Sequence, residues 1–386
     1  MFGYHFPPIE LLLDGNEQDQ QHKSEYAQYL ENTLRQTLKD FKVNADIKRV
    51  ECNPFAVLIT IQLNPGETVR KIYNLRNDIE LALASPIEIT TTVELPRGVI
   101  IAVKSLDRPI VSLKSIINSD EFKSSKSPLT VGVGCDLFGD KFILDLVETP
   151  NVIVAGTTGS GKSTFISDLI LSIMYKATPD DVRMILVDPK MVDLTPYNGI
   201  PFLLSPVVTR TEQALQAMRW AREEMDSRII KFNALDVDDI EEYNRTQSDK
   251  MYRIVIVVDE YMEMIFHAPK ELEDIIRVLS SRSKKAGIHL VLSTQRPYKD
   301  VITPSIKSNI PCRASFTVVD KRESQIAINM TGAERLLGHG DMIFTRRDDD
   351  NPIHAQAAYV SYNEIDKVID YIKKGYDQSR KYEIQE

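Results

Sequence analysis

The chain has 386 residues, 42% of them apolar, and a formal net charge of −9 at pH 7. That length suits two or three domains with proper cores, and the charge excludes a uniformly basic nucleic-acid binder, so any DNA contact has to come from a local patch. Cys52, Cys135 and Cys312 are odd in number and far apart, which supports neither a disulfide framework nor a zinc site and points to a reducing, cytoplasmic setting; no apolar run approaches the roughly 18 to 20 residues of a membrane span.

Residues 1–23 read as an N-terminal extension and linker, an apolar 7–13 segment followed by a polar run. A small α+β domain is predicted over 24–125. Ala27, Leu30, Leu34, Leu38 and Phe41 recur at spacings of three and four, one face of an amphipathic helix, with Ser24 and Glu25 where its cap is expected. Residues 55–61 read as a strand, and Asn64-Pro65-Gly66 turns the chain into a second helix carrying Val69, Ile72, Leu75 and Ile79. Further strands are predicted at 87–93 and 99–103. No catalytic constellation falls here, so the domain reads as scaffold or interaction surface.

A polar break at 124–128 opens a second domain, predicted over 126–376, with a polar tail at 377–386. Strands are predicted at 152–155, 183–187, 254–258, 289–292 and 315–319, with helices between them. Runs such as Met184-Ile185-Leu186-Val187 and Ile254-Val255-Ile256-Val257-Val258 are apolar throughout, as expected where helices cover both faces of a mostly parallel sheet. Such an α/β sheet binds ligands at the carboxyl ends of its strands.

The first strand of that alternation runs into Gly156-Thr157-Thr158-Gly159-Ser160-Gly161-Lys162-Ser163-Thr164 and then into an apolar helix. This is the context of a P-loop: inward-pointing backbone N–H groups and the positive end of a helix hold phosphate oxygens. Lys162 is expected to reach the β- and γ-phosphates of ATP, and Ser163 to sit on Mg²⁺. The strand 254–258 ends in Asp259-Glu260, which places one carboxylate for Mg²⁺ and one to polarise the attacking water. Leu292-Ser293-Thr294-Gln295-Arg296 ends a third strand with an amide able to bond both a γ-phosphate oxygen and that water. Val187-Asp188-Pro189-Lys190 ends a fourth, to which spacing alone assigns no role. Between Arg277 and Arg322 ten basic residues stand against two acidic ones, an excess able to neutralise a DNA backbone.

Taken together, these residues resemble the FtsK/SpoIIIE DNA translocases. The likeness is carried by 155–163, 187–190, 286–297, 301–303, 306–311 and 336–342, and in the N-terminal part of the chain by 64–66 and 127–130, so it covers about residues 10 to 370. It implies a RecA-like P-loop NTPase motor preceded by the family's α domain, assembling as a homo-hexamer that pumps double-stranded DNA through a central pore, in chromosome segregation or mobile-element transfer. One subunit would supply Lys162, Ser163, Asp259 and Glu260, and a neighbour a cationic finger. Lys284 occupies the position where the family has an arginine. A lysine lacks the planar fork that spans two phosphate oxygens, which leaves Arg282 as the other candidate. The pore residues match Arg296 and Lys321. A second pore arginine falls on Gln325, with Arg322 three residues earlier as substitute.

Family members carry membrane-spanning segments upstream and a DNA-reading winged helix downstream, so this chain is expected to be a motor without its own direction reader, with membrane-anchored or mobile-element proteins as partners. Two other readings stay open on sequence: a conjugation or secretion ring ATPase with a different cargo, since P-loop chemistry is blind to cargo, and a nucleotide-gated assembly module, against which the intact Asp259-Glu260 pair speaks.

Overall fold

The computed structural model describes residues 4–15, 21–105, 110–346, 352–375 and 383–384, so the expected linker and tail lie partly outside the described residues. The chain divides into two compact units, one of 15–110 with 135–140, the other of 1–14, 111–134 and 141–386. Residues 111–125 thus group with the larger unit.

In the smaller unit, β1 (Ala45–Cys52), β2 (Ala56–Leu63), β3 (Ile87–Thr92) and β4 (Gly98–Lys104) form an antiparallel sheet in the order β1-β2-β4-β3. The helix Gln21–Asp40 packs Leu30, Leu34 and Leu38 against Ile59, Ile61 and Ile101. It starts three residues before the expected cap at Ser24. The single helix expected to carry Val69 to Ile79 is two, Val69–Asn74 and Arg76–Leu83, because the chain leaves helical geometry at Leu75 (φ −87°, ψ 5°). Ile72 and Ile79 still enter one core, so the apolar spacing survives the break.

The larger unit holds β5 (Thr130–Asp136), β6 (Lys141–Asp145), β7 (Asn151–Ala155), β8 (Val182–Val187), β9 (Arg253–Val258), β10 (Ile288–Thr294), β11 (Cys312–Ser315), β12 (Asp341–Thr345) and β13 (Ile353–Ala357). Among the described residues they make one nine-stranded sheet ordered β6-β5-β13-β12-β11-β7-β10-β9-β8. The run β11-β7-β10-β9-β8 is parallel, and β12 and β13 continue it antiparallel. Ile256 and Leu290 of the central strands pack with Met218 and Met225 of the helix Thr211–Ala234 and Ile276 and Leu279 of the helix Pro269–Ala286. These helices cover the face of Ile256 and Leu290, and Val255, Val257 and Val291 of the same strands are fully buried as well, so the strands are apolar on both sides. The sheet also sets the carboxyl ends of β7, β8, β9 and β10 side by side.

The strand expected at 315–319 is displaced: β11 ends at Ser315, and 316–319 leave the sheet as a loop over the P-loop. The cause is the partner strand. β7 turns away at Gly156, so the carbonyl of Thr317 accepts from Thr157 N (2.9 Å) instead of a ladder partner. Among the described residues no helix is long and apolar enough to cross a membrane.

Candidate nucleotide site

The loop from Gly156 to Gly161 is shaped by glycine at two contacts. A Cβ on Gly156 would stand 2.6 Å from Phe316 Cβ, and one on Gly161 would stand 2.6 Å from Gly340 N, where φ is also +110°. Glycine at these two positions therefore lets the loop lie directly on Phe316 and Gly340, where a side chain would push it away. Gly161 caps the helix Lys162–Lys176, whose residues are almost all buried, with Phe165 packed on Phe316 at 5.8 Å between ring centres. Thr157 Oγ1 donates to the Thr317 carbonyl (3.1 Å), and Gly340 N to the Ser160 carbonyl (2.8 Å), so 316–340 brace the loop. Ser160 Oγ is buried with no hydrogen-bond partner among the described residues, an orphan inside the cradle that an anionic oxygen would satisfy.

Lys162 is buried, and its Nζ donates to Asp259 Oδ1 (2.6 Å) and to Ser293 Oγ (2.6 Å). Ser293 Oγ also reaches Asp259 Oδ1 at 3.1 Å. Ser163 Oγ donates to Asp193 Oδ2 (2.7 Å). The P-loop ammonium, the Ser293 hydroxyl and the strand-end carboxylate thus meet at one point, while Ser163 Oγ is turned to Asp193. Lone pairs of Ser163 and the carboxylate of Asp259 are hard oxygen donors, the chemistry Mg²⁺ takes when most of its remaining ligands are phosphate and water.

Glu260 is fully buried with φ +60°, a conformation non-glycine residues adopt rarely. Its flanks hold it there. Tyr261 N donates to the Ser293 carbonyl (2.9 Å) and Tyr261 OH to the Val301 carbonyl (2.7 Å), and burial, with the Glu260 charge second, raises the phenol so that it stays protonated. The Glu260 carboxylate accepts from Thr294 Oγ1 (2.8 Å), from Gln295 N (3.1 and 3.3 Å) and from Lys190 Nζ (3.0 Å). Gln295 Oε1 accepts from Thr158 Oγ1 of the P-loop at 3.1 Å, and the next residue, Arg296, is exposed.

The structure therefore brings together the residues 156–164, Asp259, Glu260 and Gln295, and adds Ser293, Thr294, Lys190 and Asp193. Ser293 and Thr294 lie inside a strand-end run already quoted, where two hydroxyls preceding the amide were the available signal. Asp193 carried none, since it is placed by a turn in which Asp188 Oδ2 accepts from the backbone N–H groups of Asp193 (3.1 Å) and Leu194 (2.9 Å).

Arg282 and Lys284 are not brought to this site. They end the helix Pro269–Ala286 beside the start of β10, and β10 is seven residues long, so they lie about 20 Å from its carboxyl end. Arg282 is exposed, and Lys284 meets Glu148 at 3.2 Å. Lys321 and Arg322 are exposed at the start of the helix Lys321–Ile328, where two cations oppose the positive helix end; Asp320 offsets this by accepting from Arg322 N and Glu323 N. The basic run is less available than its count suggests. Arg313 is buried and spent on the carbonyls of Lys307 and Ile310, and Lys307 itself donates to Gln325 O and Asn329 Oδ1.

Residues 112–299 match the FtsK/SpoIIIE family, and 6–103 match the FtsK alpha domain. The chain is 40% identical over 373 residues to a DNA translocase FtsK of Caldanaerobacter subterraneus, covering 96% of this chain and 52% of that protein. It is 38% identical to DNA translocase SftA of Bacillus subtilis (96% and 39% covered) and 34% identical to a DNA translocase FtsK of Haemophilus influenzae (94% and 74% covered). The chain spans about half the length of the first two relatives or less. In fold it is similar to the pCW3 conjugation coupling protein TcpA, solved with ATPγS, at TM-score 0.60 and 20% identity over 89% of this chain and 99% of that one. It is likewise similar to the cytoplasmic domain of the type VII secretion ATPase EccC of Thermomonospora curvata, at TM-score 0.59 and 20% identity, covering 68% of this chain and 34% of that one.

Proposed function

Because this chain belongs to the FtsK/SpoIIIE family, we propose that it is a cytoplasmic ATP-hydrolysing motor that translocates double-stranded DNA as a homo-hexameric ring. The observation that carries the reading is Gln295: its side chain bonds P-loop Thr158 while the adjacent Arg296 is exposed at the same sheet edge. A change at the γ-phosphate thereby moves a cation that can grip a DNA phosphate.

In this reading the backbone of 156–161 and Lys162 hold the triphosphate, and Ser163 and Asp259 hold Mg²⁺. Bound Mg²⁺ supplies neutralisation of the phosphate charge. Lys162 leaves Asp259 for the β- and γ-phosphates, and Asp259 keeps a donor in Ser293. Glu260 orients the attacking water and takes its proton as the water oxygen bonds to the γ-phosphorus. The bond to the β-γ bridging oxygen breaks with its electron pair going to ADP. Arg282 or Lys284 of a neighbouring subunit faces the departing phosphate, while Arg296, Lys321 and Arg322 contact the DNA backbone. Membrane-anchored or mobile-element proteins are the partners that would direct the ring.

The test is the ATPase rate of the chain at ring-forming concentration and low salt, with and without linear duplex DNA. A rise of about tenfold or more is expected. A rate indifferent to DNA sinks the translocase reading, and a rate that responds to a secretion-type peptide instead moves the cargo to protein.

A further inference from the structure

Lys190 is the charged donor to the Glu260 carboxylate among the described residues, and no step above uses it. A carboxylate offers about four lone-pair sites. Thr294 Oγ1 takes Oε1, Gln295 N is shared between both oxygens, and Lys190 Nζ takes Oε2 at 3.0 Å. Each oxygen is therefore already within reach of two donors on a fully buried side chain, and a water finds room beside it only where one of the donors leaves. Two of the three cannot leave readily. Thr294 is the last residue of β10, in register with Ala155 of β7, and Gln295 follows it directly. Lys190 is different, since it reaches in from the turn 188–194 with its side chain 33% exposed.

That turn is fixed at its ends and loose at its tip. Asp188 is buried, and its Oδ2 accepts from Asp193 N and Leu194 N. Between these anchors Met191 sits at φ +55°, and Met191 and Val192 are 64% and 63% exposed. Positive φ at a non-glycine residue is strained, and an apolar tip in solvent gains nothing by staying there. Three residues after Lys190, Asp193 Oδ2 accepts the hydroxyl proton of Ser163 at 2.7 Å. One short turn thus touches both the P-loop seryl and the strand-end acid.

We propose that Lys190 is a positioning residue that holds Glu260 occupied until the 188–194 turn shifts, so that engagement of Ser163 by nucleotide is coupled to release of the acid. This rests on the hydrolytic reading given above. Asp193 is the tether of the coupling: with the Ser163 proton directed at Asp193, the seryl lone pairs point at the cradle, and any displacement of Ser163 on loading is transmitted through Asp193 to Lys190.

Lys190→Met keeps the length of the stem and removes the ammonium; Lys190→Arg keeps a charged donor. In the full chain without DNA, Lys190→Met is expected to raise kcat about tenfold with KM within about twofold, and Lys190→Arg to stay near the wild-type rate. A kcat that falls in Lys190→Met, or that rises equally in both variants, overturns the proposal. Hydrogen exchange read by mass spectrometry without nucleotide gives an answer that needs no turnover. Amides of 191–194 should exchange about tenfold faster in Lys190→Met than in Lys190→Arg, because loss of the ion pair leaves the turn held by Asp188 and the single Asp193–Ser163 hydrogen bond. Equal exchange in the two overturns the tether. A wild-type chain that hydrolyses no ATP removes the ATPase reading instead, while the exchange contrast still decides the tether.

Discussion

The Nζ of Lys162 lies 2.6 Å from Oδ1 of Asp259, with 2% and 3% of the two side chains exposed. Removing one member leaves the other charged in a dry site, which costs about 3–5 kcal/mol for such pairs. Asp259→Ala is therefore expected to destabilise the larger unit by about 3 kcal/mol in denaturant unfolding, and Lys162→Met with Asp259→Ala to recover most of the loss. A double variant no more stable than Asp259→Ala contradicts a charge-pair origin.

Gly161→Ala tests the cradle. The added methyl meets the Gly340 backbone at 2.6 to 2.7 Å and the residue must keep φ +110°. Labelled-nucleotide titration should show binding weakened by at least about tenfold, since strain of roughly 1–3 kcal/mol is added where the backbone must approach phosphate. Gly66, where φ is +96° and nothing lies within 4 Å, serves as the control: Gly66→Ala should leave nucleotide binding intact.

Glu260→Gln keeps the shape of the side chain and the acceptor oxygen while removing the proposed base. Hydrolysis should fall by about 10² or more with nucleotide affinity within a few-fold, so that the variant holds ATP without turnover. Rapid-quench detection of ADP at the wild-type rate would take Glu260 out of this role.

Acid sensitivity has a named contributor. Burial, with Arg253 second, pushes the His289 imidazole from 6.5 down to about 3. The ring is neutral in the fold and takes a proton in the unfolded chain below about 6.5, so its stabilisation is complete above that pH and is lost progressively as pH falls toward about 3. The slope approaches about 1.4 kcal/mol per pH unit for one proton. His289→Leu should flatten the fall in unfolding free energy between about pH 6 and about pH 4; an unchanged slope contradicts this assignment.

Charge reversal at Arg296, Lys321 and Arg322 separates phosphate contact from fold. Each cation on a DNA phosphate adds about 0.9 to the slope of log affinity against log salt. Substituting the three with Glu should weaken duplex binding and lower that slope by about 3, as read in fluorescence anisotropy between low and moderate salt. A parallel loss in affinity without a change in slope would place these residues off the DNA.

The parallel core and the P-loop were legible because both are local signals: all-apolar strands, and a Gly-rich turn between strand and helix. The approach of Asp259, Glu260 and Gln295 to that loop followed from their positions at strand ends. Long-range pairings were not legible. Lys190 meets Glu260 across 70 positions, and Asp193 meets Ser163 across 30. Phe316–Val319 has strand-like composition yet is an extended brace, since composition does not say whether the facing backbone is a strand or a loop. The basic run misled by count, because Arg313 lies inside the fold and spends its donors on carbonyls.

β10 joins two unlike surfaces: it begins beside Arg282 and Lys284 and ends at Thr294, just before Gln295. On the proposed assignment, each site receives its cation from the opposite end of a neighbour's sheet. A contact between two different faces cannot be related by a two-fold axis, so it is heterologous, and the rotation per copy decides between a closed ring and an open filament. Symmetry then fixes how defects spread. Each subunit lacking its finger disables one neighbour's site and leaves its own P-loop intact, so mixed assemblies should lose sites in linear proportion to the altered subunits.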